Sequence, residues 1–149
     1  MKIFLGADHR GFELKAKIEV YLVKRGYQVE DVGAFEYDKD DDFPQYAAAA
    51  ALKIIGSDDD DPRAILICGG GQGMAMAANR FDSIRAVVIF TTDDAKLSRN
   101  DNNANVLSLS ANQFDNNDDW QTIIDAWLTT PFAAKDRYVR RNQQLDQLA

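Results

Sequence analysis

Ala64-Ile65-Leu66-Ile67-Cys68-Gly69-Gly70-Gly71-Gln72-Gly73 decides the fold class. Its first five residues are apolar without alternation. Alternation marks a strand with one wet face; continuity marks a strand covered on both faces, as in the middle of a parallel sheet. The run stops at four glycines within five residues, and residues 74–79 then favour a helix. A buried strand, a glycine turn and a helix form the repeating unit of an α/β sheet.

The pattern extends in both directions. Upstream, Ile3-Phe4-Leu5 is a short apolar run ending at Gly6. From Phe12 the period changes: Phe12, Leu14, Ile18, Tyr21 and Leu22 fall mostly on one helical face. Lys24-Arg25-Gly26 suits a helix end, with basic residues followed by glycine. Residues 27–32 read as a second strand. Pro44 suits the first turn of a helix, and residues 47–55 are alanine-rich. Two acidic stretches, 38–42 and 57–62, read as solvated loops, and neither has an EF-hand ligand pattern. Downstream, 86–90 reads as another buried strand, 93–99 as a short helix and 105–109 as a fifth strand. Residues 120–128 form an amphipathic pattern ended by Thr129-Thr130-Pro131, and 132–148 a polar helix with a thin apolar stripe. These elements predict an open, mostly parallel five-stranded α/β sheet in a single domain over 1–149, without repeat or linker. Ligands of such sheets bind at the carboxyl ends of the strands.

Composition narrows the function. A chain of 149 residues buries roughly 70% of its unfolded surface. With 46% hydrophobic and 28% charged residues it is neither disordered nor fibrous. No apolar run approaches the roughly 20 residues that cross a bilayer. The strand-like start at Met1 leaves no room for a signal peptide, so a soluble cytoplasmic protein is expected. A net charge of −7 argues against nucleic acid or anionic membrane as partner. The single cysteine, Cys68, excludes an internal disulfide, and the single histidine, His9, a His-rich metal site.

Four stretches carry possible chemistry. In Gly6-Ala7-Asp8-His9-Arg10-Gly11 a carboxylate, an imidazole and a guanidinium meet at a strand-to-helix turn. His9 and Arg10 there suit an anionic group and Asp8 suits hydroxyls; alternatively Asp8 only caps the helix and His9 is solvated. In the glycine loop Cys68 suits a base or nucleophile, since a position near a helix N-terminus favours the thiolate, and the glycine N–H groups suit a developing oxyanion. The alternative is an inert buried thiol and a tight turn. No G-x-G-x-x-G or G-K-S/T pattern is cleanly present, so the loop is a weak nucleotide signal. Leu97-Ser98-Arg99-Asn100-Asp101-Asn102-Asn103-Ala104-Asn105 suits either sugar hydroxyls or a capped polar turn. Arg137 and Arg141 share a helical face and match phosphate oxygens, unless that face is merely solvated.

Taken together and in order, these stretches, with Ala77-Ala78-Asn79 and Arg140, resemble the ribose-5-phosphate isomerase B family, which includes the subunits of galactose-6-phosphate isomerase. The resemblance covers nearly the whole chain. It implies a Rossmann-like three-layer sandwich with a mostly parallel five-stranded sheet and a C-terminal helix. The implied activity is a metal-free, cofactor-free aldose–ketose isomerisation of phosphosugars. A homodimer or homotetramer with sites shared across the interface is also implied. Position by position, Cys68 matches the base that moves a proton between C1 and C2 through a cis-enediolate. The backbone of Gly69, Gly70, Gly71 and Gly73 matches the groups that hold the enediolate oxygens. Asp8 matches a hydroxyl ligand, His9 a phosphate contact, Tyr46 an aromatic beside the sugar and Asn102 a hydroxyl-binding amide. Arg137 and Arg141 match phosphate arginines supplied by the neighbouring subunit.

The chain departs from that pattern at four positions. Gly70 stands where Thr or Ser is usual, and Asp101 replaces a histidine assigned to ring opening. Asn112 replaces a phosphate-binding arginine, and Tyr138 stands where His is common. A carboxylate at Asp101 can serve as acid or base where its pKa suits. The smaller Gly70 and Asn112 enlarge the site. Three functions remain open: ribose 5-phosphate isomerisation, the same chemistry on another phosphosugar such as allose or galactose 6-phosphate, and non-catalytic sugar-phosphate binding.

Overall fold

The computed structural model describes residues 1–148. Its elements are β1 (Lys2–Ala7), α1 (Phe12–Lys24), β2 (Gln28–Gly33), α2 (Phe43–Ile55), β3 (Arg63–Cys68) and α3 (Gln72–Ala78). They continue as β4 (Ala86–Val88), α4 (Thr92–Asn102), β5 (Val106–Ser110), α5 (Ala111–Phe114), α6 (Asp119–Thr129) and α7 (Asp136–Asp146). All strand pairs are parallel, in the order β2-β1-β3-β5-β4. The continuous apolar run is the central strand, and every residue of β3 is buried.

Side-chain alternation then divides the core. Ile3, Leu5, Ile65, Ile67, Leu107 and Leu109 face α1, α5 and α6, with Ala95 of α4 completing that side. Phe4, Ala64, Leu66 and Cys68 face α2 and α3. Helices thus cover both faces, giving the three-layer α/β architecture that was expected, and α7 packs outside against α4. Register brings the strand ends level: Ala7 pairs with Ile67, and Cys68 with Ser110. Among the described residues no helix is long and apolar enough to cross a membrane.

Local differences from the sequence reading have tertiary causes. The strand expected at 86–90 is three residues long, with Val87 and Val88 half-buried. It is an edge strand, and beyond it Thr91 Oγ1 already accepts from the Asp94 N–H to cap α4. α4 outlasts the expected 93–99 because Asn103 supplies a left-handed C-cap, a conformation Asn tolerates. The short α5 was not anticipated; Ser110 Oγ caps it by accepting from the Gln113 N–H. The C-terminal helix starts at Asp136 rather than 132. The preceding residues run along α4 instead, with the Ala133 N–H donating to the Asn100 carbonyl.

Two buried cations, Lys15 and Arg63, hold corners of the sheet. Lys15 Nζ donates to both Asp31 oxygens at 2.7 Å and to the Ala34 carbonyl at 2.5 Å, fixing the start of the loop after β2. Arg63 donates to the Trp127 and Leu128 carbonyls at the end of α6 and pairs with Asp61. The second acidic stretch is therefore partly structural rather than a purely solvated loop.

Candidate active site

β1 ends at Ala7, and the chain turns through Asp8, His9 and Arg10 into α1. Asp8 Oδ1 accepts from the backbone N–H of Arg10 at 2.9 Å and of Gly11 at 3.2 Å. These bonds close the turn ahead of α1 rather than cap the helix, whose N-cap position is Gly11, and Asp8 Oδ2 is left without a partner among the described residues. Burial pushes the carboxyl above its ordinary value, against the pull of those two bonds. Gly11 permits the close approach of this turn to β3, since a β-carbon there would lie 2.6 Å from Ile67.

His9 is not simply solvated. Its backbone N–H donates to Asp41 Oδ1 at 3.0 Å, and its ring Nδ1 lies 2.7 Å from the same oxygen. Tyr46, in the first turns of α2, donates its hydroxyl to Asp41 Oδ2 at 3.0 Å. The Asp41 side chain is only 3% exposed, which corrects the reading of 38–42 as a wholly solvated loop. Burial alone would raise the Asp41 carboxyl, but the two His9 contacts and the Tyr46 hydroxyl together bring it below its ordinary value. Burial first, then the bond to Asp41, pushes the Tyr46 phenol up to about 12. The hydrogen bond to Asp41 raises the His9 imidazole. Asp8, His9 and Asp41 also offer three potential metal-ligand atoms within 4.8 Å of one another. Both Asp41 oxygens accept hydrogen bonds, however, Oδ1 from His9 and Oδ2 from the Tyr46 hydroxyl, so Asp41 serves hydrogen bonding here rather than ligation.

Cys68 closes β3 beside this turn. Its thiol is free and buried, and the Gly71 N–H donates to Sγ at 3.2 Å. The loop is stitched to β5. The Gly69 carbonyl accepts from Ser110 Oγ at 2.8 Å and the Asn112 N–H at 3.0 Å; the Gly71 carbonyl accepts from Ser108 Oγ at 2.6 Å. Gly71 has φ +81°, so it occupies the left-handed region that favours glycine. Gly73 lies against the Phe43 ring.

The room expected from Gly70 and Asn112 is already taken. The Gln72 carboxamide fills the space a β-carbon at Gly70 would use. Asn112 Oδ1 accepts from Arg10 Nη2 at 2.6 Å, and the Arg10 side chain lies over Gly69. Local packing, not the size of the missing side chain, sets the free volume.

The remaining candidates sit elsewhere. α4 runs back from the carboxyl end of β4 to the amino end of β5, so Asp101 and Asn102 lie toward the amino ends of the strands. Cys68 lies level with Ser110 at the other end; Val106 to Ser110 alone spans roughly 13 Å at the usual strand rise. Asp101 Oδ1 accepts from Asn100 Nδ2 at 2.6 Å, and Asn102 is exposed. Arg137 and Arg141 are exposed on α7, with Arg137 Nη2 donating to the buried Tyr138 hydroxyl at 3.0 Å. One copy of the chain thus brings Asp8, His9, Tyr46, Cys68 and the glycines together. It does not bring Asp101, Asn102, Arg137 and Arg141 to them. Sequence reading missed Asp41, because nothing local distinguishes it from the acidic residues on either side.

Known proteins share this architecture. The chain matches the family described as Ribose/Galactose Isomerase over residues 3–145. It is 37% identical to ribose-5-phosphate isomerase B of Mycolicibacterium paratuberculosis over 141 residues, covering 95% of this chain and 87% of the relative. Identity to the Escherichia coli enzyme of that name is 42% over 127 residues, covering 85% and 83%. A 4-deoxy-4-sulfo-D-erythrose isomerase of Clostridium is 38% identical, covering 73% and 67%. The solved ribose 5-phosphate isomerase of Thermotoga maritima superposes with TM-score 0.89 at 37% identity, covering 99% and 98%. That of Mycoplasma genitalium with bound ribulose 5-phosphate gives 0.87 at 34% identity, covering 98% and 94%. With sequence and fold agreeing from β1 to α7, the chain belongs to the ribose/galactose isomerase family.

Proposed function

We propose that this chain interconverts ribose 5-phosphate and ribulose 5-phosphate, with Cys68 as the base. Family membership makes it an aldose–ketose isomerase. The observation that carries the residue assignment is the free Cys68 thiol at the carboxyl end of the central strand, with a backbone N–H on its sulfur and the Asp8–His9 turn beside it. In the open-chain sugar Cys68 takes the C2 proton, the O2 hydroxyl proton passes to O1, and Cys68 returns its proton to C1. The negative charge that develops on the enediolate oxygens falls to the backbone donors of residues 69–73. Asp8, with Oδ2 uncommitted, holds a hydroxyl, and His9 and Arg10 meet the phosphate. Tyr46 lines the sugar's side through its ring, its hydroxyl being held by Asp41.

The second group completes the site from a neighbouring copy. Arg137 and Arg141 clamp the phosphate, Asn102 holds a hydroxyl, and Asp101 assists ring opening in the place of the usual histidine. A homodimer is the smallest assembly that does this, and the separation of the two groups within one chain supports it.

A different anionic aldose is the second reading, favoured by the Clostridium relative named for a sulfosugar. A coupled assay on ribose, allose and galactose phosphates and 4-deoxy-4-sulfo-D-erythrose, with Cys68→Ala alongside, separates the possibilities. Turnover of ribose 5-phosphate that Cys68→Ala lowers by about 1,000-fold or more is expected. Turnover of another sugar alone reassigns the substrate. Binding without turnover makes the chain a sugar-phosphate-binding paralogue.

A further inference from the structure

Asp41 joins three elements: the turn after β1, its own loop and α2. Its Oδ1 takes both His9 donors and its Oδ2 takes the Tyr46 hydroxyl. A carboxylate so engaged, and so little exposed, keeps its charge in one place. Against His9 it does two things. Sharing one oxygen between the backbone and ring donors fixes the rotation of the imidazole. Pairing with Nδ1 puts a proton there and leaves Nε2 as the ring atom without a partner among the described residues.

We propose that Asp41 is a positioning residue for His9: it holds the ring with Nδ1–H on its carboxylate and presents Nε2–H as a charged donor to the anionic group of the substrate. This rests on the reading of the chain as a sugar-phosphate isomerase in which His9 meets the phosphate. The groups that set the charge of His9 are Asp41 from the loop, Asp8 and Arg10 from its own turn and, through Asp41, Tyr46 of α2. The bond to Asp41 raises the imidazole above its ordinary 6.5, burial opposes it, Asp8 adds to the rise and Arg10 opposes it. A raised value means that His9 is charged below its titration point and neutral above it. Anion affinity should therefore weaken as pH rises through that point.

His9 is the only histidine of the chain, so its ring signals in a nitrogen-resolved NMR spectrum are assigned without mutagenesis. The full chain, Asp41→Asn and Tyr46→Phe are titrated from about pH 5 to about pH 9, while kcat and KM for ribose 5-phosphate are followed in parallel. The neutral wild-type ring should carry its proton on Nδ1; a neutral ring protonated on Nε2 overturns the proposal without any variant. Asp41→Asn should move the His9 midpoint down toward the ordinary value. It should also raise KM by about three- to ten-fold near pH 7.5, with kcat held within about two-fold. The KM values should converge at acid pH, where His9 is charged in both proteins. Tyr46→Phe removes a donor from the carboxylate and leaves it more basic, so the His9 midpoint should stay or rise. An unchanged midpoint in Asp41→Asn, or an equal fall in both variants, overturns the proposal, the second outcome reporting a loosened loop. If wild type turns over no sugar phosphate, the functional reading fails, and the tautomer and midpoint still decide the role of Asp41 with inorganic phosphate as the probe.

Discussion

Arg10 is an exposed guanidinium whose side-chain partner among the described residues is the neutral Asn112. On a chain of net charge −7, a cation left without a carboxylate at the mouth of the glycine loop is set for an anion. Asn112 anchors one nitrogen of the fork, and the stem lies along Gly69, so little side-chain entropy remains to be lost on binding. Arg10→Ala should raise KM for ribose 5-phosphate by about ten-fold while kcat changes by less than about three-fold. Asn112→Ala should shift KM in the same direction by less, because the charge stays while its anchor goes. Arg10→Lys should rescue only part of the loss, since an ammonium cannot reproduce a two-nitrogen fork. Steady-state kinetics with competition by inorganic phosphate checks all three, and an unchanged KM in Arg10→Ala removes Arg10 from the anion site.

Among the elements, the β3–α3 turn ties stability to chemistry most tightly. Gly71 combines φ +81° with a position where a β-carbon would lie 3.1 Å from Val88 Cγ1 and 3.3 Å from the Leu109 backbone. Its N–H is also the donor to the Cys68 sulfur. Gly71→Ala should therefore cost about 1–2 kcal/mol from the left-handed backbone alone. Activity should fall further than the folded fraction does, because the turn cannot relax without moving that N–H. Thermal unfolding beside kcat measured well below Tm separates the two losses, and a stable variant with full kcat would free the turn from any such role. The same element explains what the sequence disclosed. β3 was legible because burial on both faces leaves a continuous apolar run, and the turn because glycine clusters have few other uses. Asp41, Lys15 and Arg63 were illegible because each is defined by a partner far along the chain: His9, Asp31 and the end of α6. The edge strand β4 and the delayed start of α7 were misjudged for a related reason. Apolar content and polarity period do not report how many neighbours an element has.

At the scale of the whole molecule the distribution of candidate residues becomes a statement about assembly. Asp8, His9 and Cys68 lie at the carboxyl end of the sheet, whereas Asp101, Asn102, Arg137 and Arg141 lie toward the other end, on α4 and α7. No rotation of a side chain closes the distance, because α4 returns along the sheet before Asp101 is reached. A two-fold interface exchanges the same surfaces in both directions, so it can bring the α4–α7 group of each copy to the Cys68 group of the other, twice per dimer. This arrangement predicts complementation. Cys68→Ala and the double variant Arg137→Ala, Arg141→Ala should each be nearly inactive. Unfolded together in equal amounts and refolded, they should form heterodimers in which one site inherits both lesions and the other neither. With random pairing, half of the dimers are mixed and one site in two is intact, so activity should recover to roughly a quarter of wild type. If each chain completed its own site, every site in the mixture would carry a lesion and no activity would return. Recovery near a quarter, abolished when both lesions are placed on the same chain and mixed with itself, assigns the arginines to the partner's substrate.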